Sequence, residues 1–140
     1  MLKKIGSFMV LCLLLIGGLV ACGSDSPVGQ TCTLLPCPNV LNVVVNAPGV
    51  NEYTLLATGS DGDSINVVCG DASSPPGDRG ICSSTGVQLL DFTPEEVSLT
   101  LISADGRSVT ETFRPDYTTL EPNGPGCGTC QQATVTLSLS

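Results

Sequence analysis

The 140-residue sequence has no histidine, and two of its five basic residues, Lys3 and Lys4, fall within the first four positions. Without imidazole there is no ordinary general base near neutral pH, no histidine metal ligand, and no Ser-His-Asp or Cys-His constellation. No lysine follows Lys4, so the rest of the chain has no amine for Schiff-base chemistry. An enzyme built from this chain would have to work with carboxylates alone. Cations are also scarce: after Lys4 only Arg79, Arg107 and Arg114 stand against 13 carboxylates. Phosphate recognition needs clustered Lys and Arg, so this balance excludes nucleic-acid binding and repels anionic lipid headgroups. There is one long apolar run, near the start. Nowhere does an amphipathic helical period persist over three turns, although Thr93-Pro94-Glu95-Glu96 could form a single turn.

That run explains the first part of the chain. Lys3 and Lys4 precede an apolar stretch from Phe8 to Ile16, which Gly17 and Gly18 loosen. This is the order of a secretory signal, and the stretch is short of the roughly 20 apolar residues of a membrane span. Leu19-Val20-Ala21-Cys22 then resembles the lipobox of bacterial lipoproteins. The resemblance implies a signal peptide over 1–21, cleavage before Cys22, and acylation of that cysteine. Two or three acyl chains would hold the protein at a bilayer without any transmembrane helix. Gly23 and Ser24, with no aspartate, resemble the start of lipoproteins that enteric-type bacteria sort to the outer membrane. Removing 21 of 140 residues leaves 119, enough for one domain, and takes the formal charge from −8 to −10. Residues 22–31 read as a lipidated tether; the nine between Cys22 and Cys32 reach about 30 Å when extended.

From residue 32 onward the pattern is that of β-structure. Leu41, Val43 and Val45 alternate with Asn42, Val44 and Asn46; Tyr53, Leu55 and Ala57 alternate with Thr54, Leu56 and Thr58; Ile65 and Val67 continue the period. Val87 to Phe92, then Val97, Leu99 and Leu101, repeat it, and Ala133, Val135, Leu137 and Leu139 give the cleanest alternation. Turn pairs separate these runs: Pro48-Gly49, Asp61-Gly62, Pro76-Gly77, Asp105-Gly106 and Asn123-Gly124. Asp105-Gly106 is the strongest hairpin signal, read as a two-residue turn with positive φ. Apart from the Asp-Gly turns there is no internal repeat. The expectation is an all-β, disulfide-stapled domain over 32–140, a single two-sheet sandwich of about seven strands. Its core should hold Leu41, Val43, Val45, Leu55, Ile65, Val67, Leu99, Leu101, Val135, Leu137 and Leu139.

The order Cys-Pro-Asn-Val-Leu-Asn-Val-Val-Val at 37–45, the cysteine-flanked loop at 69–82, and Cys-Gly-Thr-Cys before a final strand resemble small bacterial carboxypeptidase-regulatory-like domains. These are prealbumin-like sandwiches that serve as accessory and adhesion modules. The chain departs from that pattern at the first hairpin, where Asn46-Ala47-Pro48-Gly49 replaces a longer glycine-rich insertion. The resemblance implies the fold and carries no catalytic residue.

Six cysteines follow Cys22, and an exported chain passes through an oxidising compartment, so three disulfides are expected. Cys69 should pair with Cys82, across a short loop holding Pro75, Pro76 and Gly77. Cys32 and Cys37 should link to Cys127 and Cys130, joining the start of the domain to its last strand. The competing pattern closes each near pair on itself, and six thiols allow fifteen pairings in all. Cys127-Gly128-Thr129-Cys130 has the spacing of a thiol oxidoreductase but lacks the following helix. The same four cysteines have zinc-ribbon spacing, which export disfavours. Asp61 and Asp63 offer two calcium-type ligands without the remainder of a site. Glu95 and Glu96 are neighbours that a strand would turn to opposite faces, against glycoside hydrolysis. No cofactor and no metal is expected. The functional expectation is a non-catalytic, membrane-tethered structural or binding module of the envelope with a partner of unspecified identity. The alternative is an inhibitor or sequestering protein for a basic extracellular partner such as a lysozyme-like enzyme.

Overall fold

Strands form where Val, Leu, Ile and Thr place one apolar residue at every second position, because a pleated chain sends alternate side chains to opposite faces. The computed structural model describes residues 31–70 and 79–140. Among them are nine strands: β1 (Val40–Asn46), β2 (Tyr53–Gly59), β3 (Ser64–Cys69), β4 (Gly80–Ser83), β5 (Gly86–Leu90), β6 (Val97–Ser103), β7 (Ser108–Phe113), β8 (Thr118–Leu120) and β9 (Cys130–Ser138). They make two packed sheets, ordered β4-β5-β1-β9-β8 and β3-β2-β6-β7. The chain is thus the expected all-β sandwich, with nine strands in place of about seven. The two additional strands are sheet edges. Gly80-Ile81-Cys82-Ser83 opens on a glycine and is too short for an alternation to register, and Thr118–Leu120 is exposed at all three positions.

The core lies between the sheets. Ten of the eleven expected residues are buried there, joined by Ala57, Val87, Leu89, Phe92, Val97 and Ala133. Each fully buried Leu contributes on the order of 1.5–3 kcal/mol relative to an exposed one. Val45 is the exception: it is half-buried at the end of β1, where the two sheets part. Phe92 is only 2% exposed although β5 ends at Leu90, because Asp91 adopts a positive φ of 49° and turns the chain inward.

The second sheet is two hairpins of sequence neighbours, β2–β3 and β6–β7, joined by the long-range pairing of β2 with β6. β2 and β3 are joined by Ser60-Asp61-Gly62-Asp63, and β6 and β7 by Ala104-Asp105-Gly106-Arg107. Gly59 N–H donates to Asp63 O and Ser103 N–H to Arg107 O, while Gly62 and Gly106, both at φ +87°, donate back to Gly59 O and Ser103 O. Only the glycine of each turn has positive φ, so Asp105-Gly106 belongs to a three-residue turn with a glycine bulge. The expected two-residue turn needs positive φ at Asp105 as well, which is not found. In each turn the aspartate carboxylate accepts a backbone N–H two residues on, from Asp63 at 3.0 Å and from Arg107 at 3.2 Å.

The first sheet depends on distant segments. β1 and β9 run parallel, pairing Val40 with Gln132 and Asn46 with Ser138. The turn Ala47–Val50, with Gly49 at φ +75° and Val50 N–H donating to Ala47 O, carries the chain from β1 to β2. Those strands lie in different sheets, so the turn read from sequence as the first hairpin is a crossing between sheets. The 93–96 segment has no helical turn.

Candidate functional site

The strand directions give the sandwich two distinct poles. At one, the chain enters β1 and β9 begins. Cys32 is bonded to Cys127 and Cys37 to Cys130, 95 and 93 residues apart in sequence. This is the cross-linking pattern, and neither Cys32–Cys37 nor Cys127–Cys130 closes on itself. Asn123 reinforces it. Its carboxamide oxygen accepts from Thr33 Oγ1 and from Leu35 N, both at 2.8 Å, and its NH2 donates to Leu35 O at 3.0 Å. Asn39 Oδ1 accepts from Gln131 N at 2.9 Å. The segment 32–37 is therefore fixed along the loop 121–130 although it belongs to no strand. Nothing in the sequence marks Asn123 for this role beyond its place in a turn near two cysteines.

At the other pole the strands end in short loops and the sheets part. Cys69 is bonded to Cys82, tying the last residue of β3 to β4 in the opposite sheet. Beside this bridge is a cleft of about 480 Å³, walled by Val45, Val50 and Tyr53 and rimmed by Ser83, Ser84 and Thr85. None of its described lining residues is charged. Burial pushes the Tyr53 phenol above its ordinary range. A smaller groove of about 210 Å³ adjoins it, between Glu52, Val68 and Ile102. Gly70 is required at this point: a Cβ there would stand 2.7 Å from Glu52 Cγ, and its φ of +148° disfavours other residues. The cleft is not legible in the sequence, because it arises where 45–53, 69–70 and 82–86 converge.

The remaining sequence candidates are occupied otherwise. Cys127 and Cys130 belong to two different disulfides, so they are neither a redox pair nor free thiols for zinc. Asp63 is held by Arg79 through two 2.7 Å hydrogen bonds, which lower its pKa, and Asp61 accepts from the Asp63 backbone. Glu96 is paired with Arg114 at 2.9 Å, and Asp105 with Arg107 at 2.8 Å. Ser103 Oγ also donates to Asp105, and that bond, the Arg107 backbone N–H and the Arg107 guanidinium together lower the Asp105 pKa. Among the described residues no three His, Cys, Asp or Glu side chains are grouped as a metal site. Tyr117 packs beside the core with its hydroxyl buried and without a hydrogen-bond partner, and burial pushes its pKa up to about 12. Cys22, the expected lipidation site, and the signal and tether segments lie outside the described residues, as does the Pro76-Gly77 turn.

Comparison with known proteins gives no match. No family model fits the chain, and neither curated proteins nor solved structures yield a similar one.

Proposed function

We propose that this chain is a lipid-anchored, non-catalytic envelope module that binds an uncharged ligand at its open pole. The observation that carries this reading is the separation of the two poles. Two disulfides fasten the point where the chain enters the domain to its final strand, and the loops and the larger cleft lie at the opposite end. A tether from Cys22 then pulls on a part of the fold that is covalently closed, and ligand-bearing loops are left unburdened. Concave sites with few convergent polar groups are the usual form of a binding pocket. The uncharged lining of the larger cleft favours a neutral polar ligand there over the capture of a basic protein. The kinship with carboxypeptidase-regulatory-like domains remains part of this proposal on strand pattern and cysteine placement alone. Outer-membrane sorting belongs to it on the strength of Gly23 and Ser24.

The test is cell fractionation of a Cys22→Ser variant. Its domain should fold as in the parent and appear in the soluble fraction, because the proposed acyl chains attach only at that thiol. A Cys22→Ser chain that stayed in the membrane pellet would overturn the anchor.

A further inference from the structure

The stapled pole carries a feature that neither the core nor the disulfides require. Leu34 is 97% exposed and Leu35 57%, the two highest values among the exposed large apolar residues. Scattered surface leucines are ordinary, but these are adjacent and rigidly presented. Cys32–Cys127 and Cys37–Cys130 bracket them, and Asn123 holds the Leu35 backbone on both its N–H and its C=O. A leucine pair on a free coil could fold back on itself; this pair is held out by its backbone. The two segments that carry and brace the pair are uncharged. Neither 31–39 nor 122–131 contains an Asp, Glu, Lys or Arg, in a chain with 13 carboxylates.

We propose that Leu34 and Leu35 form a prong that inserts into the lipid bilayer, giving the anchored domain a second contact with the membrane. This rests on the lipid-anchor reading above. The occupant follows from chain length: only nine residues separate Cys22 from Cys32, about 30 Å at full extension, so the prong lies within reach of any bilayer that holds the acyl chains. The segments that carry and brace the pair hold no charged side chain, so inserting the leucines buries none. Because the prong is already ordered, insertion does not have to freeze it. Two contacts restrain the orientation of the domain, where a single flexible tether would leave it free to tumble.

The chain has no tryptophan, so one introduced indole is an unambiguous reporter. The full acylated protein carrying Leu34→Trp would be reconstituted in phosphatidylcholine vesicles, with and without bromine on the lipid acyl chains. Ile102→Trp, on the outer face of the second sheet at the open pole, is the reference. Leu34 is almost fully exposed, so the substitution should not disturb folding. The expected result is emission from the Leu34→Trp protein shifted to the blue and quenched by about half or more in brominated vesicles, with the reference unquenched. Protein that floats with the vesicles while the indole at position 34 emits as in water would overturn the prong and leave the anchor standing. A blue shift without bromine quenching would also overturn it, showing that a second copy or another protein covers the leucines. Protein that fails to float would overturn the anchor and the prong together.

Discussion

The two sheets of this sandwich are closed by different kinds of link. In the second sheet β2 meets β3, and β6 meets β7, through turns of a few residues whose aspartate and glycine set the backbone. In the first sheet the central pair, β1 and β9, joins residues from opposite ends of the domain, as in Val40 with Gln132. Bringing such distant segments together costs more chain entropy than closing a hairpin. The long-range disulfides stand at the start of this pair and offset that cost. The hairpins of the second sheet are closed by turn chemistry and its long-range pair, β2 with β6, by packing, whereas the central pair of the first sheet is also closed by covalent bonds.

The largest effect should therefore come from removing both long-range bridges. With one in place, the other closes only the ring formed by 32–37 and 127–130, about ten residues, so losing a single pair should cost about 2.7 kcal/mol. Replacing all four cysteines by alanine reopens the long loop as well and should cost about 7 kcal/mol, enough to unfold a domain of ordinary stability. Urea unfolding of Cys32→Ala/Cys127→Ala, of Cys37→Ala/Cys130→Ala and of the fourfold variant measures this. Simple addition of the two double-mutant losses would mean that the bridges act independently and that the closed-loop argument is wrong.

A smaller contrast separates glycines of the two sheets. At Gly86, which starts β5 at a φ of +152°, an added Cβ would overlap the carbonyl oxygen of Val43 on β1. Gly86→Ala has to push backbone from backbone inside the first sheet and should cost about 3 kcal/mol. At Gly106, with φ +87°, nothing lies within 4 Å of the added atom. Gly106→Ala strains only its own turn and should cost about 1 kcal/mol. Thermal melts decide between them. Equal losses would remove the distinction between a tight joint in one sheet and a free turn in the other.

The same difference explains what is legible in the sequence. β2, β3, β6 and β7 can be read because alternation and Asp-Gly turns act over a few residues. Six runs are visible, β7 follows only as the second flank of the Asp105-Gly106 turn, and β4 and β8 leave no signal, because edge strands of four and three residues show no sustained burial pattern. The parallel β1–β9 pairing leaves no local trace; only the cysteines point to it, and they leave open which of two patterns forms. Val45 is misplaced by its sequence pattern because alternation specifies a face and not how far the opposing sheet extends. The open cleft and the exposure of Leu34 and Leu35 are illegible for a related reason: both depend on how segments far apart in sequence meet.

The smallest expected effect concerns pH, and it acts on the turns of the second sheet and on the Asp63–Arg79 pair that ties one of them to the residue before β4. Arg79 lowers the pKa of Asp63 chiefly through their paired hydrogen bonds, and Ser103 does the same for Asp105, with help from the Arg107 backbone and guanidinium. A carboxylate whose pKa is lower when folded than when unfolded contributes stability above its unfolded value, about 4. That contribution is lost as pH falls through the folded value. Both groups sit at the turns of the second sheet, whereas the bridges of the first do not titrate. Acid should therefore loosen β2–β3 and β6–β7 first. Asp63→Asn/Asp105→Asn keeps a side-chain acceptor in each turn and removes the titration. Relief of general acidic repulsion is nearly common to both proteins, so the comparison isolates the two turns. The parent should lose more of its melting temperature between pH 5 and about 2.5 than the variant does. Parallel losses in the two proteins would show that these carboxylates do not hold the turns, and that the second sheet is kept closed by its packing alone.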